Sequence, residues 1–203
     1  MAGRTSRGVF GLLAVFCALL VLAGGSSQLA DVSRRANRAA ELLRSPNPRS
    51  LQAVEGAVSK GWTVTRVVDG DTVDLSRDKR HLIVRMIGID TPETVDPNIG
   101  VECFGQDASE FASKVLLHQR VALEYDASQG RLDRYGRTLA YVWVTASDPP
   151  WQYNARAVRL GYANEFTYRT PYHWQSEFLR RQQVARKLGL GLWTSCYRDP
   201  TGL

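Results

Sequence analysis

The chain has 203 residues, with 26 Lys and Arg against 20 Asp and Glu, 44% hydrophobic residues and 3 Cys. That length admits one ordinary domain with some additional segments, and 23% charged residues, 9% aromatics and 8 Pro exclude disordered, collagenous and multi-spanning chains. The net charge of +6 is unevenly placed: residues 1–60 hold eight basic and three acidic residues, so the remaining body is nearly neutral and its bulk charge identifies no partner.

Arg4 and Arg7 precede an apolar run over residues 9–23, followed by Gly24, Gly25, Ser26 and Ser27. A basic start, an apolar stretch and small residues at a cleavage point describe an export signal. The run is just short of the ~20 residues that span a bilayer comfortably, so residues 1–25 read as a cleaved signal peptide or a retained membrane anchor. Either way the two arginines stay inside and the rest is exported, secreted or held at the outer face of the cytoplasmic membrane. Residues 26–60 read as a spacer with one short helix, capped by Asp31 or Ser33 and ended by Ser45-Pro46-Asn47-Pro48. Its arginines solvate it, since the aromatic anchors of an interfacial segment are missing.

The body runs over residues 61–198, with a short tail at 199–203. Residues 62–68 alternate apolar and polar and are rich in β-branched side chains, which predicts a strand. Asp69-Gly70 then turns the chain into a second strand over 72–75. A charged turn leads to a third strand over 82–89, completing a meander. After a loop over 90–105, Ala108, Phe111, Ala112, Val115 and Leu116 follow helical spacing. Two further strands are expected over 120–125 and 138–144, then a short helix over 154–161 and a longer one over 173–188. The order suits an α+β, mainly β fold: a five-stranded barrel of OB type with three packed helices.

Four segments collect the polar residues of interest: 68–73, 85–93, 133–137 and the helix that begins near Asn154. Arg85 stands inside an apolar strand, between Leu82-Ile83-Val84 and Met86-Ile87, where an arginine is expected to face an anion. Asp71 and Asp90, with a backbone carbonyl, supply hard oxygen ligands for Ca²⁺. Glu93 is placed to hold or deprotonate a water. Arg85 and Arg137 are suited to grip phosphate oxygens and to stabilise the charge of a five-coordinate phosphorus. A metal, a base and two cations together are what phosphodiester hydrolysis requires.

The segments VDGDTV, VRMIGIDTPET, GVECFG and DRYGRTLAY, in this order and spacing, resemble the thermonuclease family typified by staphylococcal nuclease. The resemblance covers residues 62–193. It implies an OB-type barrel with three helices and Ca²⁺-dependent hydrolysis of DNA and RNA at the P–O5′ bond, leaving 3′-phosphate ends. It also implies that Asp71 and Asp90 bind calcium through their side chains and Thr91 through its carbonyl, with Asp69 nearby. Glu93 corresponds to the glutamate that positions or activates water, and Arg85 and Arg137 to the phosphate-binding arginines. Tyr135 corresponds to a tyrosine that contacts the terminal phosphate, and Arg134 replaces a lysine. Tyr168 is the candidate for base stacking, with Phe166 as the fallback.

If the body is exported, Cys103 and Cys196 read as one disulfide, the alternative being two separate thiols. The scattered His81, His118 and His173 and the lack of a CxxC disfavour zinc. The competing functional reading is a non-catalytic OB-fold module that binds nucleic acid. Loss of Asp71, Arg85, Asp90, Glu93 or Arg137 would favour it, and all five are present. The expected partners are DNA and RNA substrates, with membrane contact only through an uncleaved amino end and no obligate protein partner for a monomer.

Overall fold

The computed structural model describes residues 58–94 and 100–196. The export segment, the spacer up to residue 57 and the tail at 199–203 lie outside the described residues. In chain order the elements are β1 (Val58–Val67), β2 (Thr72–Arg77), β3 (Arg80–Met86), β4 (Ile89–Asp90), α1 (Gly105–Leu116), β5 (Arg120–Glu124) and β6 (Thr138–Val144). They continue with β7 (Trp151–Gln152), α2 (Tyr153–Leu160), β8 (Asn164–Glu165), α3 (Gln175–Leu188) and α4 (Leu192–Ser195).

The chain is mainly β sheet with few helices. Strands β1, β2 and β3 form the antiparallel meander expected from their alternation, and β5 pairs with the other edge of β1. Strand β6 lies antiparallel to β5, and its first residues pair in parallel with β3, Arg85 opposite Leu139. That pairing closes a ring of five strands in the order β3-β2-β1-β5-β6. Register shifts on β1, between Ser59 and Trp62 and between Val64 and Arg66, bend it so that it serves both neighbours. The inward positions, among them Trp62, Val64, Val73, Leu75, Val84, Met86, Leu123 and Val142, are fully buried and meet Ala112 and Leu116 of α1 and Phe178 of α3.

Three expectations are corrected. The third strand does not run through to Ile89: β3 ends at Met86, the chain turns at Ile87-Gly88, and Ile89–Asp90 pairs with Asn164–Glu165 in a separate two-stranded sheet. The turn passes through Gly88 at positive φ, and the guanidinium of Arg85 closes it by donating hydrogen bonds to the carbonyls of both Met86 and Ile89. The long helix starts at Gln175 and not at His173, and the two residues before it are anchored to the strands, the His173 N–H on Asp126 and the Trp174 indole on Glu124. A fourth helix, the single turn α4, follows the three expected ones.

Two buried carboxylates attach α3 to the strand ring. Glu124 accepts the indole N–H groups of Trp143 at 2.6 Å and Trp174 at 2.9 Å. Asp126 accepts four hydrogen bonds, from Tyr141 Oη at 2.7 Å, the His173 N–H at 2.7 Å, the Ser128 N–H at 2.9 Å and Ser128 Oγ at 2.8 Å. Burial pushes the Asp126 carboxyl up, but these donors outweigh it and hold it below the ordinary aspartate value. A carboxyl depressed in the folded state contributes stability above its unfolded pKa, ~3.9, and that contribution is lost as pH falls through the folded value. Asp126→Asn should therefore lower the unfolding free energy at pH 7 by about 1.5–3 kcal/mol. Urea unfolding should show the gap between variant and parent closing below about pH 4, and a gap that stays constant to pH 2 would contradict this assignment.

Candidate active site

The Asp69-Gly70 turn delivers Asp71 to the start of β2. The Val68 N–H donates to the Thr72 carbonyl at 2.9 Å, closing the hairpin, and the Asp71 N–H donates to Asp69 Oδ1 at 2.9 Å. Asp71 is only 4% exposed, so each of its oxygens needs partners. Oδ1 accepts Thr72 Oγ1 at 3.0 Å and lies 3.0 Å from Arg85 Nη1; Oδ2 accepts the Thr91 N–H at 2.9 Å and Thr91 Oγ1 at 3.1 Å. One carboxylate thus ties together β2, β3 and the segment after β4.

Arg85 faces anions, as its apolar surroundings predict, and those anions are Asp71 and Asp90. Its Nη2 donates to Asp90 Oδ1 at 2.7 Å, and its Nη1 to the Ile89 carbonyl at 2.8 Å and the Met86 carbonyl at 3.2 Å. The Asp90 side chain is 51% exposed against 6% for Asp71, which puts Asp71 at the floor and Asp90 at the mouth. The Arg85 Nε–H donates to no protein acceptor among the described residues.

The carboxylates oppose one another. Burial, reinforced by the facing Asp71, pushes Asp69 up to about 6. Asp71 and Asp90 are raised chiefly by burial too, against the pull of Arg85; Glu102 and Asp69 add to the effect at Asp90. Two hard carboxylate oxygen donors whose charged forms burial disfavours suit a divalent cation. Among the described residues no three His, Cys, Asp or Glu side chains gather as a metal cage. A cation held here would therefore rely on backbone oxygen and water as well as on Asp71 and Asp90.

The second arginine is built by a turn. Asp133 Oδ1 accepts the N–H groups of Tyr135 and Arg137, each at 2.9 Å, and its Oδ2 accepts Arg137 Nε at 2.6 Å. The two Nη groups of Arg137 are left without a protein acceptor among the described residues. Arg137 immediately precedes β6, whose Leu139 lies opposite Arg85, so both guanidiniums belong to the β3–β6 junction. Tyr135 is 67% exposed, with the guanidiniums of Arg134 and Arg137 within 4.7 and 5.3 Å of its ring centre. Tyr168 and Phe166, also exposed, follow β8 with their rings 6.4 Å apart. The Phe166 N–H is anchored on the Gly88 carbonyl.

Glu93 lies two residues beyond Thr91, and its Oε1 accepts the Thr94 N–H at 2.8 Å. Three further residues support the site, of which Asn154 alone lies at one of the polar segments singled out in the sequence. Asn154 accepts the Val142 N–H and donates to the Ile87 carbonyl, holding the turn after β3 against β6. The buried Tyr153 hydroxyl donates to the Gly70 carbonyl at 2.8 Å. Glu102 accepts the Glu93 N–H at 2.9 Å. The signal for the first two was a polar residue at the start of an amphipathic helix; for Glu102 there was none.

Residues 83–195 match the family described as Staphylococcal nuclease homologue. A thermonuclease of Staphylococcus hyicus is 37% identical over 155 residues, covering 76% of this chain and 88% of the relative. A thermonuclease of Staphylococcus intermedius is 40% identical over 148 residues, covering 73% of this chain and 83% of the relative.

Thr91 leaves no room for a side chain at Gly70. A Cβ at Gly70 would lie 2.6 Å from Thr91 Cγ2 and 2.9 Å from both Thr91 Cβ and Oγ1. Gly70→Ala should push Thr91 off Asp71 and cost about 1–3 kcal/mol of stability for a buried acceptor left short of donors. Adding Thr91→Ser, which removes Cγ2, should recover part of that loss. Thermal unfolding of the single and double variants measures both effects, and an unchanged midpoint for Gly70→Ala would show that the contact is not restrictive.

Proposed function

From the premise that the chain belongs to the staphylococcal nuclease homologue family and is a nuclease, we propose that it is a Ca²⁺-dependent endonuclease exported from the cell. It cleaves DNA and RNA at the P–O5′ bond and leaves 3′-phosphate ends. The observation that carries this reading is the buried Asp71 held by Arg85 beneath the exposed Asp90. It is a hard-oxygen site and a phosphate-binding guanidinium in one construction.

In this reading Asp71, Asp90 and the Thr91 carbonyl hold the cation, which when bound offsets the carboxylates' charge and polarises a phosphate oxygen. Arg85, its Nη groups fixed by Asp71, Asp90 and two carbonyls, offers its Nε edge to a phosphate oxygen. Arg137, oriented through Nε by Asp133, offers its two Nη groups from the neighbouring strand. Together they stabilise the charge that gathers on the equatorial oxygens as phosphorus becomes five-coordinate. Glu93 orients the attacking water and takes its proton. Tyr135 and Arg134 contact the adjoining phosphate, and Tyr168, next to Phe166, stacks on a base. The exposed Arg-Tyr surface suits a single strand better than a closed duplex, whose bases have no free faces.

Export rests on the basic and apolar amino end and agrees with the disulfide between Cys103 and Cys196. N-terminal sequencing of exported protein separates release, with a start near Gly25 to Gln28, from retention of the intact amino end.

Arg85→Ala and Arg137→Ala should each slow cleavage of single-stranded DNA by at least about 10²- to 10³-fold in saturating Ca²⁺. Glu93→Gln should slow cleavage while calcium affinity, read by titration calorimetry, stays close to that of the parent. Wild-type rates for either arginine variant would refute its role. Loss of calcium affinity alone on Glu93→Gln would make Glu93 a ligand instead of a base.

A further inference from the structure

We propose that Glu102 is a positioning residue for Glu93, and that the Cys103–Cys196 disulfide is the strut that holds Glu102 in place. The proposal rests on the catalytic role given to Glu93 above. Two reciprocal hydrogen bonds define the arrangement: the Glu93 N–H donates to Glu102 Oε2 at 2.9 Å, and the Glu102 N–H donates to the Glu93 carbonyl at 2.9 Å. A backbone clamped at both its donor and its acceptor has little freedom to rotate, so the direction of its side chain is restricted as well. The start of α1 closes the other side, since a Cβ at Gly105 would lie 2.7 Å from the Glu93 carbonyl oxygen.

What holds Glu102 is less obvious, because it is exposed. It lines an open cleft of about 320 Å³ together with Asp90, Thr91, Asn164, Leu192 and the two cysteines among others. The covalent bond from Cys103 to Cys196 ties the segment that carries Glu102 to the residue that follows α4, 93 positions away. The far end of the strut is firm. The Leu192 N–H donates to the Gly161 carbonyl at 2.9 Å, and a Cβ at either Gly161 or Gly191 would collide with the backbone of the other turn. The disulfide thus connects the clamp on Glu93 to a rigid backbone crossing.

The strut is reversible by chemistry that leaves every site residue unchanged. A thiolate of a dithiol such as dithiothreitol attacks one sulfur and releases the other cysteine as its thiolate. The reagent's second thiol then closes its own ring and releases the first cysteine. Two electrons and two protons pass to Cys103 and Cys196, and the dithiol becomes its cyclic disulfide.

The test uses the full chain, single-stranded DNA and saturating Ca²⁺, with folding checked by circular dichroism. Treatment with dithiothreitol, the double variant Cys103→Ser/Cys196→Ser and Glu102→Ala should each lower kcat by roughly 10- to 100-fold at saturating Ca²⁺, the scale of a displaced catalytic group, with KM for DNA within about twofold. Glu102→Gln keeps an acceptor for the Glu93 N–H and should restore most of kcat. In a Glu93→Gln background, Glu102→Ala and reduction should produce no further loss, because both act through Glu93. An unchanged kcat for folded Glu102→Ala, or an equal further loss in the Glu93→Gln background, overturns the proposal. Full activity of Glu93→Gln itself would instead remove the role of Glu93, which separates failure of that reading from failure of the strut. If the cysteine variant does not fold, dithiothreitol reduction of the folded parent tests the strut, and an unchanged kcat after complete reduction overturns it.

Discussion

The site depends on accommodating one buried carboxyl group, Asp71. A buried carboxylate is tolerable only when its lone pairs are filled and its charge is met. Arg85, Thr72 and the N–H and hydroxyl of Thr91 do both. Removing one partner of such a pair typically costs about 3–5 kcal/mol, so the geometry of three chain segments is set by a single charge balance. Gly70 is glycine because Thr91 must approach within bonding distance of Asp71, and Arg85 closes the turn after β3 by donating to the carbonyls of Met86 and Ile89.

The strand ring and the helices serve that arrangement. The parallel contact between β3 and the start of β6 brings Arg137 to the strand beside Arg85. At the start of α2, Tyr153 fastens the Gly70 turn to that helix and Asn154 fastens the Ile87 turn to β6. The buried acceptors Glu124 and Asp126 anchor the two residues before α3 to the strands. Rigid elements therefore support the floor of the site at Asp71 and Arg85. Asp90 remains half exposed above it, and Tyr135 and Tyr168 are exposed as well.

Much of this was legible in the sequence, and the legible parts share a cause. Alternation in β1, the Asp69-Gly70 turn and the spacing of Ala108, Ala112 and Leu116 are local periodicities, and the structure follows them. Arg85 was legible as a charge out of place among aliphatics, and Cys103 with Cys196 as an even pair. Long-range decisions were not legible. The pairing of Ile89–Asp90 with Asn164–Glu165 joins segments about 75 residues apart with only two residues each, too short for any periodic signal. The anchoring of the two residues before α3 depends on Glu124 and Asp126, carboxylates in a strand and its exit that look like surface residues until their partners are known. Glu102 resembled any exposed glutamate, because its importance lies in a bond to a backbone N–H and not in its own surroundings.

The central claim is that these residues form a calcium-dependent phosphodiesterase site with a defined direction of cleavage. Its most direct test is digestion of 5′-labelled single-stranded DNA by the purified chain, with Ca²⁺ or with excess EGTA, followed by analysis of the new 3′ ends. The account predicts cleavage that stops on chelation, resumes when Ca²⁺ is restored, and leaves 3′-phosphates that block extension by a polymerase until they are removed. Cleavage indifferent to EGTA, or products ending in a free 3′-hydroxyl, would contradict it.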